Sequence, residues 1–216
     1  MLNIKTFCFN PLQENTYVVS DERNACVIID CGAFYEEERQ ALVDYITDHQ
    51  LQPVHLLSTH GHFDHNFGID TVFDTWGLRA EVSAADEWLI TDIPQQFEAM
   101  SGIRINRTYP APGHYLTPQE VITFGQHQLQ VLPTPGHTPG GVTFYCAEEQ
   151  VAFTGDTLFR MSVGRTDFEG GSYTDLMASL VHVLAKLPSD TIILPGHGPQ
   201  STIDYELHYN PYLQSF

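Results

Sequence analysis

The sequence contains few basic residues and no long apolar run. Nine Lys and Arg residues stand against 27 Asp and Glu residues among 216, which gives a net charge of -18 at pH 7. An electrostatic field of that sign repels nucleic acid phosphates and anionic lipid headgroups. No apolar segment approaches the ~20 residues of a membrane helix, and the chain does not open on a basic run followed by an apolar stretch. We therefore expect a soluble, unsecreted protein with neither nucleic acid nor a membrane as a partner.

Cysteine is also scarce, and no two cysteines form a C-x-x-C pair. Most of the four lie in apolar, strand-like runs, where a buried reduced thiol is more common than a disulfide. This usage predicts a reducing compartment and hence a cytoplasmic location. The sequence lacks a G-x-S-x-G elbow and a C-G-x-C-W-like signature, so a serine or cysteine nucleophile is not indicated.

Apolar residues make up 42% of the chain, which is enough for a substantial buried core. Hairpins in the first half, then strands and a long helix, predict an α/β (α+β) fold of packed sheets with helices outside. We interpret 1–216 as a single domain in which residues 84–117, with weak helical periodicity and no strong strand, form an insertion or lid. Strands are predicted at 4–9, 16–20, 26–29, 54–58, 128–132, 142–146, 151–154 and 191–194, and helices at 36–48 and 174–187, the second capped by Thr174.

The stretch "STHGHFDH" holds three histidines and an aspartate within six positions after a predicted strand. In an extended segment His60, His62 and Asp64 face a common point, while His65 approaches from the flank. Three further candidates stand beside glycine after other predicted strands, where loops on a rigid core usually carry function: His137, Asp156 and His197.

These seven candidates, five imidazoles and two carboxylates, are too many for one tetrahedral metal ion. They suit two ions that share a bridging carboxylate, an arrangement typical of hydrolytic centres. Imidazole and carboxylate ligands without thiolate fit zinc, iron or manganese. The sequence therefore predicts two divalent metal ions, with zinc as the first choice and iron or manganese as alternatives.

The ordered motifs T-H-x-H-x-D-H, G-H-T-x-G, G-D-T-L-F and G-H-G-P resemble those of the metallo-β-lactamase fold superfamily. The closest similarity is to its bacterial glyoxalase II-like hydrolases, and it covers nearly the whole chain. The resemblance implies a four-layer αββα sandwich with the metals at one edge. It also implies a first metal bound by His60, His62 and His137, a second bound by Asp64, His65 and His197, and a bridging Asp156.

The chain departs from the family pattern in ways that concern its substrate. The superfamily's β-lactam-hydrolysing zinc enzymes usually carry cysteine in place of Asp156, so antibiotic hydrolysis is not expected. The carboxy-terminal helical domain of glyoxalase II is not expected, and Pro199 replaces a tyrosine of that family. Arg165 keeps a basic residue and Phe168 replaces a tyrosine in the loop after the aspartate. Both are candidate substrate-binding residues, although Arg165 has the alternative of pairing with Asp167 or Glu169.

The resemblance implies hydrolysis of small thioesters such as hydroxyacylglutathione by a metal-bound hydroxide, with Asp64 orienting the water or taking its proton. Asp30 is expected either to hydrogen-bond a ligand histidine or to cap a turn. One alternative is a mononuclear Fe(II) persulfide dioxygenase that uses His60, His137 and Asp156. A lactone hydrolase of the same fold is another. A nuclease is disfavoured because no patch rich in Lys and Arg is present.

Overall fold

The computed structural model describes residues 1–214, and its first half forms a six-stranded sheet in the order β1-β2-β3-β4-β5-β6. Strands β1 to β3 are antiparallel, and β3 to β6 run parallel to one another. The elements of this half are β1 (Asn3–Phe9), β2 (Glu14–Ser20), β3 (Ala25–Ile29), α1 (Glu36–Asp48), β4 (Gln52–Leu57), α2 (Ile69–Trp76), β5 (Ala80–Ser83), α3 (Glu87–Ile90), α4 (Ile93–Ser101) and β6 (His114–Leu116).

The second half forms another six-stranded sheet, in the order β14-β13-β10-β9-β8-β7. Only β10 and β13 are parallel in it. A two-stranded sheet of β11 and β12 follows β10 in the chain. The elements are β7 (Val121–Phe124), β8 (His127–Pro133), β9 (Val142–Cys146), β10 (Val151–Gly155), β11 (Leu158–Phe159), β12 (Ser162–Val163), α5 (Tyr173–His182), β13 (Ile192–Pro195), β14 (Ser201–Thr202) and α6 (Ile203–Tyr209).

The two large sheets pack face to face, and helices cover their outer surfaces. Val27 and Ile29 of β3 bury themselves between the sheets together with Phe144 and Phe153 of the second sheet. The alternate residue Ile28 instead packs in the cluster that includes helix residues of α1 and α2. Because side chains alternate along a strand, β3 is apolar on both faces. The four-layer αββα arrangement expected from the sequence is confirmed. No helix within 1–214 is long and apolar enough to cross a membrane.

All eight predicted strands are present with small shifts at their ends, and the helix predicted at 36–48 has those bounds. The second predicted helix is shorter than expected. It ends at His182, and a 3₁₀ turn, Leu184–Lys186, follows it. The prediction of Thr174 as its N-cap was wrong. Ser172 has the extended backbone of a cap, and its hydroxyl accepts a hydrogen bond from the Asp175 amide, which places Thr174 inside the helix.

Residues 84–117 contain a 3₁₀ turn, Ala84–Asp86, followed by α3, α4 and β6. The sequence indicates no strong strand here, and the structure has one short strand, β6, which pairs with β5 and forms the edge of the first sheet. This strand has only three residues, of which two are exposed, so it carries no readable alternation of apolar and polar positions.

The topology brings several loops to one edge of the sandwich. The parallel neighbours β3 and β4 end beside each other, which places Asp30 next to the loop that begins at Ser58. The parallel neighbours β10 and β13 likewise end together, just before Asp156 and His197. Because the carboxyl ends of parallel strands lie at the same edge of a sheet, these loops meet there.

Candidate metal centre

The "STHGHFDH" loop follows β4 and ends in a 3₁₀ turn, Phe63–His65. The sequence predicts an extended segment, and this turn means that the loop is not extended over its whole length. The buried Asn66 fixes its backbone. Its amide nitrogen donates hydrogen bonds to the carbonyl oxygens of His60 at 3.0 Å and His62 at 2.8 Å, and its oxygen accepts one from the Ser58 hydroxyl.

The first cluster consists of His60, His62 and His137, whose ligand-type nitrogens lie within 4.8 Å of one another. The Nδ1 atom of His62 and the Nε2 atom of His137 are 2.9 Å apart. His137 donates through Nδ1 to the carbonyl oxygen of Arg165 at 2.7 Å. This bond leaves the lone pair of His137 Nε2 directed into the cluster.

The second cluster consists of Asp64, His65 and His197. The Nε2 atom of His197 lies 3.3 Å from Oδ2 of Asp64 and 3.2 Å from Nε2 of His65. His197 donates through Nδ1 to the carbonyl oxygen of Leu12 at 3.0 Å, which again leaves its Nε2 free.

Asp156 lies between the two clusters. Its Oδ1 atom is 3.3 Å from Nε2 of His65, while its Oδ2 atom is 3.4 Å from Nε2 of His137 and 3.7 Å from Nε2 of His197. The structure therefore brings all seven predicted residues together, with one carboxylate positioned to reach both groups.

Asp30 orients one histidine of each cluster. Its Oδ2 atom accepts a hydrogen bond from Nδ1 of His65 at 2.9 Å and from the Thr59 hydroxyl at 2.8 Å. That hydroxyl in turn lies 3.0 Å from Nδ1 of His60. Of the two roles expected for Asp30, the structure has the hydrogen bond to a candidate ligand histidine. Such contacts fix the tautomer so that Nε2 faces the metal side.

The electrostatics of the two clusters differ. Burial, reinforced by the neighbouring imidazoles, holds the pKa of His60 well below its usual value, and burial lowers the pKa of His62 to about 4. Burial acts against the charged form of His65 too, but the carboxylates of Asp156, Asp64 and Asp30 outweigh it and raise that pKa well above normal. His60 and His62 are thus neutral imidazoles, the form that binds metals, whereas the carboxylates around His65 favour its positive charge.

The residues fit a pair of divalent ions. Nε2 of His60 and Oδ1 of Asp156 are buried and make no hydrogen bond with any residue of 1–214. Buried polar atoms are normally paired, so two such atoms within one cluster of ligand-type groups indicate a missing partner. A divalent ion accepts lone pairs from both imidazole and carboxylate, as this donor set requires.

Two buried carboxylates at this edge were missed by the sequence analysis. Asp86 accepts hydrogen bonds from the backbone amides of Gly61 and Gly140 and from the Thr138 hydroxyl, so it joins the loops of His60 and His137. Glu14 is fully buried near Asp30 and His65, and burial raises its pKa well above the usual value. Asp86 follows β5, a strand with no clear pattern, and Glu14 belongs to a strand predicted to start two residues later. For Glu14 the only signal was a polar residue beside a predicted strand. Asp86 gave no signal, because β5 was not among the predicted strands.

A cavity of about 760 Å³ opens over the two clusters. Its lining includes His62, Asp64, His137, Asp156 and His197. Both predicted substrate-binding residues, Arg165 and Phe168, also line it. The Arg165 guanidinium pairs with the Asp167 carboxylate, the alternative that the sequence left open, and it lies 4.0 Å from the centre of the Phe168 ring.

Comparison with known proteins identifies relatives along almost the whole chain. The family model described as "Metallo-beta-lactamase superfamily" matches residues 9–197. The chain is 33% identical over 208 residues to the "Probable metallo-hydrolase YqgX" of Bacillus subtilis (strain 168), covering 95% of each chain. It is also 33% identical to the "Hydroxyacylglutathione hydrolase GloC" of Haemophilus influenzae (strain ATCC 51907 / DSM 11121 / KW20 / Rd), covering 99% of each.

Solved structures of the same fold superpose closely. The BLEG-1 B3 metallo-beta-lactamase matches with a TM-score of 0.90 and 36% identity over 99% of each chain. A di-iron-bound form of TTHA1623 matches with a TM-score of 0.84 and 36% identity, over 97% of this chain and 100% of the other. ETHE1 from Myxococcus xanthus matches with a TM-score of 0.77 and 25% identity, over 97% of this chain and 83% of the other. The protein thus belongs to the metallo-beta-lactamase superfamily and is one of its metallo-hydrolases.

Proposed function

We propose that the protein is a dinuclear metal-dependent hydrolase of small thioesters, the class to which hydroxyacylglutathione belongs. The observation that carries this proposal is the position of Asp156 between two groups of three ligand-type side chains. In this proposal His60, His62 and His137 bind one ion, Asp64, His65 and His197 bind the other, and Asp156 bridges them. The named relative GloC, a hydroxyacylglutathione hydrolase by its description, supports the choice of substrate class.

When bound, a pair of divalent ions lowers the pKa of water toward neutrality and polarises a carbonyl oxygen. The protein's own residues then position the reactants. Asp64 lines the cavity, where its carboxylate would orient a water at the centre or take its proton. Phe168 packs against the His62 ring at 5.5 Å between ring centres and forms part of the cavity wall that a substrate would contact.

Zinc is our first choice of metal, and iron is the main alternative. The ligands of both clusters are imidazole and carboxylate without thiolate, a donor set that zinc, iron and manganese all accept. The di-iron form of TTHA1623, a protein 36% identical to this chain, supports including iron in every test.

The decisive experiment measures metal content and thiol release on the same preparation. Protein purified without added metal is analysed for bound ions and then mixed with several acyl thiols. We expect about two ions per chain, and thiol release that falls at least about 100-fold in Asp156→Asn. The exposed Asp190→Asn variant is the matched control and is expected to retain activity. One ion per chain, or no thioester hydrolysis by the fully loaded protein, would overturn the proposal.

The second candidate is a mononuclear Fe(II) persulfide dioxygenase that uses His60, His137 and Asp156. A set of two histidines and one carboxylate is typical of oxygen-activating iron sites. The likeness to ETHE1 and to the di-iron protein supports testing it. Oxygen uptake with glutathione persulfide by the iron-loaded protein, and none by the zinc-loaded protein, would favour this candidate.

Lactones and β-lactams belong in the same substrate panel. A lactone is opened by the same attack on a carbonyl carbon, so a lactone hydrolase remains an alternative. The similarity to BLEG-1, a B3 metallo-beta-lactamase, supports including a β-lactam. Hydrolysis of either ring at a higher kcat/KM than every thioester would replace the thioester proposal.

A further inference from the structure

The wall of the cavity is largely apolar. Trp88 and Met100, from α3 and α4, line it together with Phe168. These three large side chains are 43%, 52% and 45% exposed, although most large apolar residues of the chain are buried. A cavity with a largely apolar wall is typical of a binding site for an apolar group.

Apart from the ions proposed at its base, the cavity has little positive charge to offer a substrate. Among its lining residues within 1–214, Arg165 is the only lysine or arginine. Both Nε and Nη2 of Arg165 donate to the Asp167 carboxylate at 2.6 Å. This bidentate pair uses two of the five donor hydrogens of the guanidinium and the face of the group rests on Phe168. The Arg165 hydrogen bonds lower the pKa of Asp167 to about 2, so the pair is ionised at neutral pH.

The acidic residues at the mouth outnumber this cation. Glu169 also lines the cavity and Asp167 pairs with Arg165, so this loop carries two carboxylates and one guanidinium. The whole chain adds a net charge of -18. Since clefts focus the field of the surrounding charges, the entrance disfavours a substrate that carries carboxylates.

Since these features coincide at one cavity, we propose that it selects thioesters whose groups near the metal centre are apolar and uncharged, and that Asp167 enforces this by occupying Arg165. The inference rests on the proposed function and narrows its substrate class. Asp167 acts through Arg165 and is therefore a positioning residue. Glutathione, with two carboxylates, is disfavoured on the thiol side, whereas a longer alkyl chain on the acyl side is favoured.

The first test compares matched substrates of the metal-loaded protein. S-acyl-N-acetylcysteamines with two, four and six acyl carbons vary only in apolar length. S-hexanoylglutathione and its dimethyl ester differ only in their carboxylates. We expect kcat/KM to rise about two- to fourfold per added methylene until the cavity is filled. We also expect the dimethyl ester to be hydrolysed faster than the free acid. A faster reaction with the free acid would overturn the inference while leaving the thioesterase proposal intact.

The second test changes the pairing of Arg165. In Asp167→Asn, the freed guanidinium should raise kcat/KM for S-hexanoylglutathione relative to its dimethyl ester by about two- to fivefold, the range of an exposed ion pair. Asp190→Asn removes one exposed carboxylate that does not pair with Arg165, so its ratio should stay at the wild-type value. Because Asp167 is exposed, its substitution is not expected to affect folding. An unchanged ratio in Asp167→Asn would overturn the role given to Asp167.

A binding measurement separates this inference from the proposed function. S-hexylglutathione and its dimethyl ester are thioethers that no thioesterase hydrolyses, and Trp88 in the cavity wall reports their binding by its fluorescence. We expect tighter binding of the dimethyl ester, a smaller difference in Asp167→Asn and loss of the signal in Trp88→Phe. Equal or weaker binding of the dimethyl ester contradicts the inference. If the protein binds the dimethyl ester more tightly but hydrolyses no thioester, the selectivity of the cavity is supported and only the proposed reaction is contradicted.

Discussion

Asp86 joins the two loops that carry the first cluster. One carboxylate oxygen accepts from the Gly61 amide and the Thr138 hydroxyl, and the other accepts from the Gly140 amide at 2.6 Å. The side chain is completely buried, so no water replaces a lost bond. Its contribution is to hold the backbones of His60 and His137 at a fixed separation.

Substitution of Asp86 with Asn is therefore expected to weaken metal binding although Asp86 is not among the ligand groups. The new amide group places N–H donors against backbone N–H donors, which costs about 1–3 kcal/mol of folding free energy. Metal affinity should fall about 10- to 100-fold, as it does for other residues that orient ligands. Metal titration of the apoprotein and urea unfolding measure the two effects. Glu87→Gln, an exposed neighbour, is the control, and equal metal affinities in both variants would contradict the prediction.

The seven candidate ligands could be predicted from the sequence, whereas Asp86 could not. The ligands stand in short motifs beside glycine after strands with clear apolar runs, such as β10 before Asp156. Asp86 follows a four-residue strand in which only Ala80 and Val82 are buried. Its partners are 25 and more residues away in sequence, so only the folded chain reveals its role.

At the scale of elements, the start of α5 depends on a cap that its apolar pattern does not show. The stripe of Leu176 and Leu180 sets the buried face of the helix but leaves its first residue open. The strands were more predictable, because β3 and β10 are almost entirely buried and read as continuous β-branched and aromatic runs. Strand β6 could not be predicted, because it depends on pairing with β5 and its three residues carry no strand pattern of their own.

The assignment of Ser172 as the cap of α5 can be tested by comparing substitutions of Ser172 and Thr174. Ser172→Ala removes the hydroxyl that accepts from the Asp175 amide and is expected to lower the free energy of unfolding by about 1 kcal/mol. For a chain of this size that corresponds to a fall in Tm of about 2–4 °C. Thr174→Ala removes a hydroxyl inside the helix and should change Tm less. Thermal unfolding of both variants tests this, and a larger effect at Thr174 would contradict the assignment.

The neighbouring strands β4 and β5 are joined by a side-chain pair that titrates. Nδ1 of His55 lies 2.6 Å from the Glu81 carboxylate. That hydrogen bond, opposed by partial burial, raises the pKa of His55 above its value in the unfolded chain. A raised pKa in the folded state means that the stabilisation is complete below the unfolded pKa of about 6.5 and is lost as pH rises through the folded pKa.

We therefore expect His55→Gln to destabilise the protein more at about pH 5.5 than at about pH 8.5. The difference should be about 0.2–1 kcal/mol, because the imidazole is only partly buried and solvent screens the pair. Urea unfolding at both values measures it. His182→Gln removes an exposed imidazole in α5 and serves as the control. The same loss of stability at both values in His55→Gln would count against the ion pair.

At the scale of the whole molecule, the candidate centre lies across the junction of the two sheets. The first sheet supplies the loop from His60 to His65, and the second supplies His137, Asp156 and His197. One further contact crosses the same junction, since the Asn15 side chain donates to the carbonyl oxygens of Pro195 and Gly198. Ions bound there would connect residues of both halves in addition to the apolar interface between the sheets.

Removal of metal is accordingly expected to lower the stability of the whole chain. A ligand that binds only the folded state stabilises it by about 2.7 kcal/mol at 100 times its dissociation constant, so chelation should lower Tm by several degrees. The effect should be reversible on adding back zinc or iron. Asp156→Asn removes the residue between the clusters and should make Tm nearly insensitive to chelator, whereas Asp190→Asn should respond like the wild type. Differential scanning calorimetry with and without chelator measures all three proteins. An equal fall in Tm for Asp156→Asn and the wild type would mean that Asp156 does not link metal binding to the stability of the two halves.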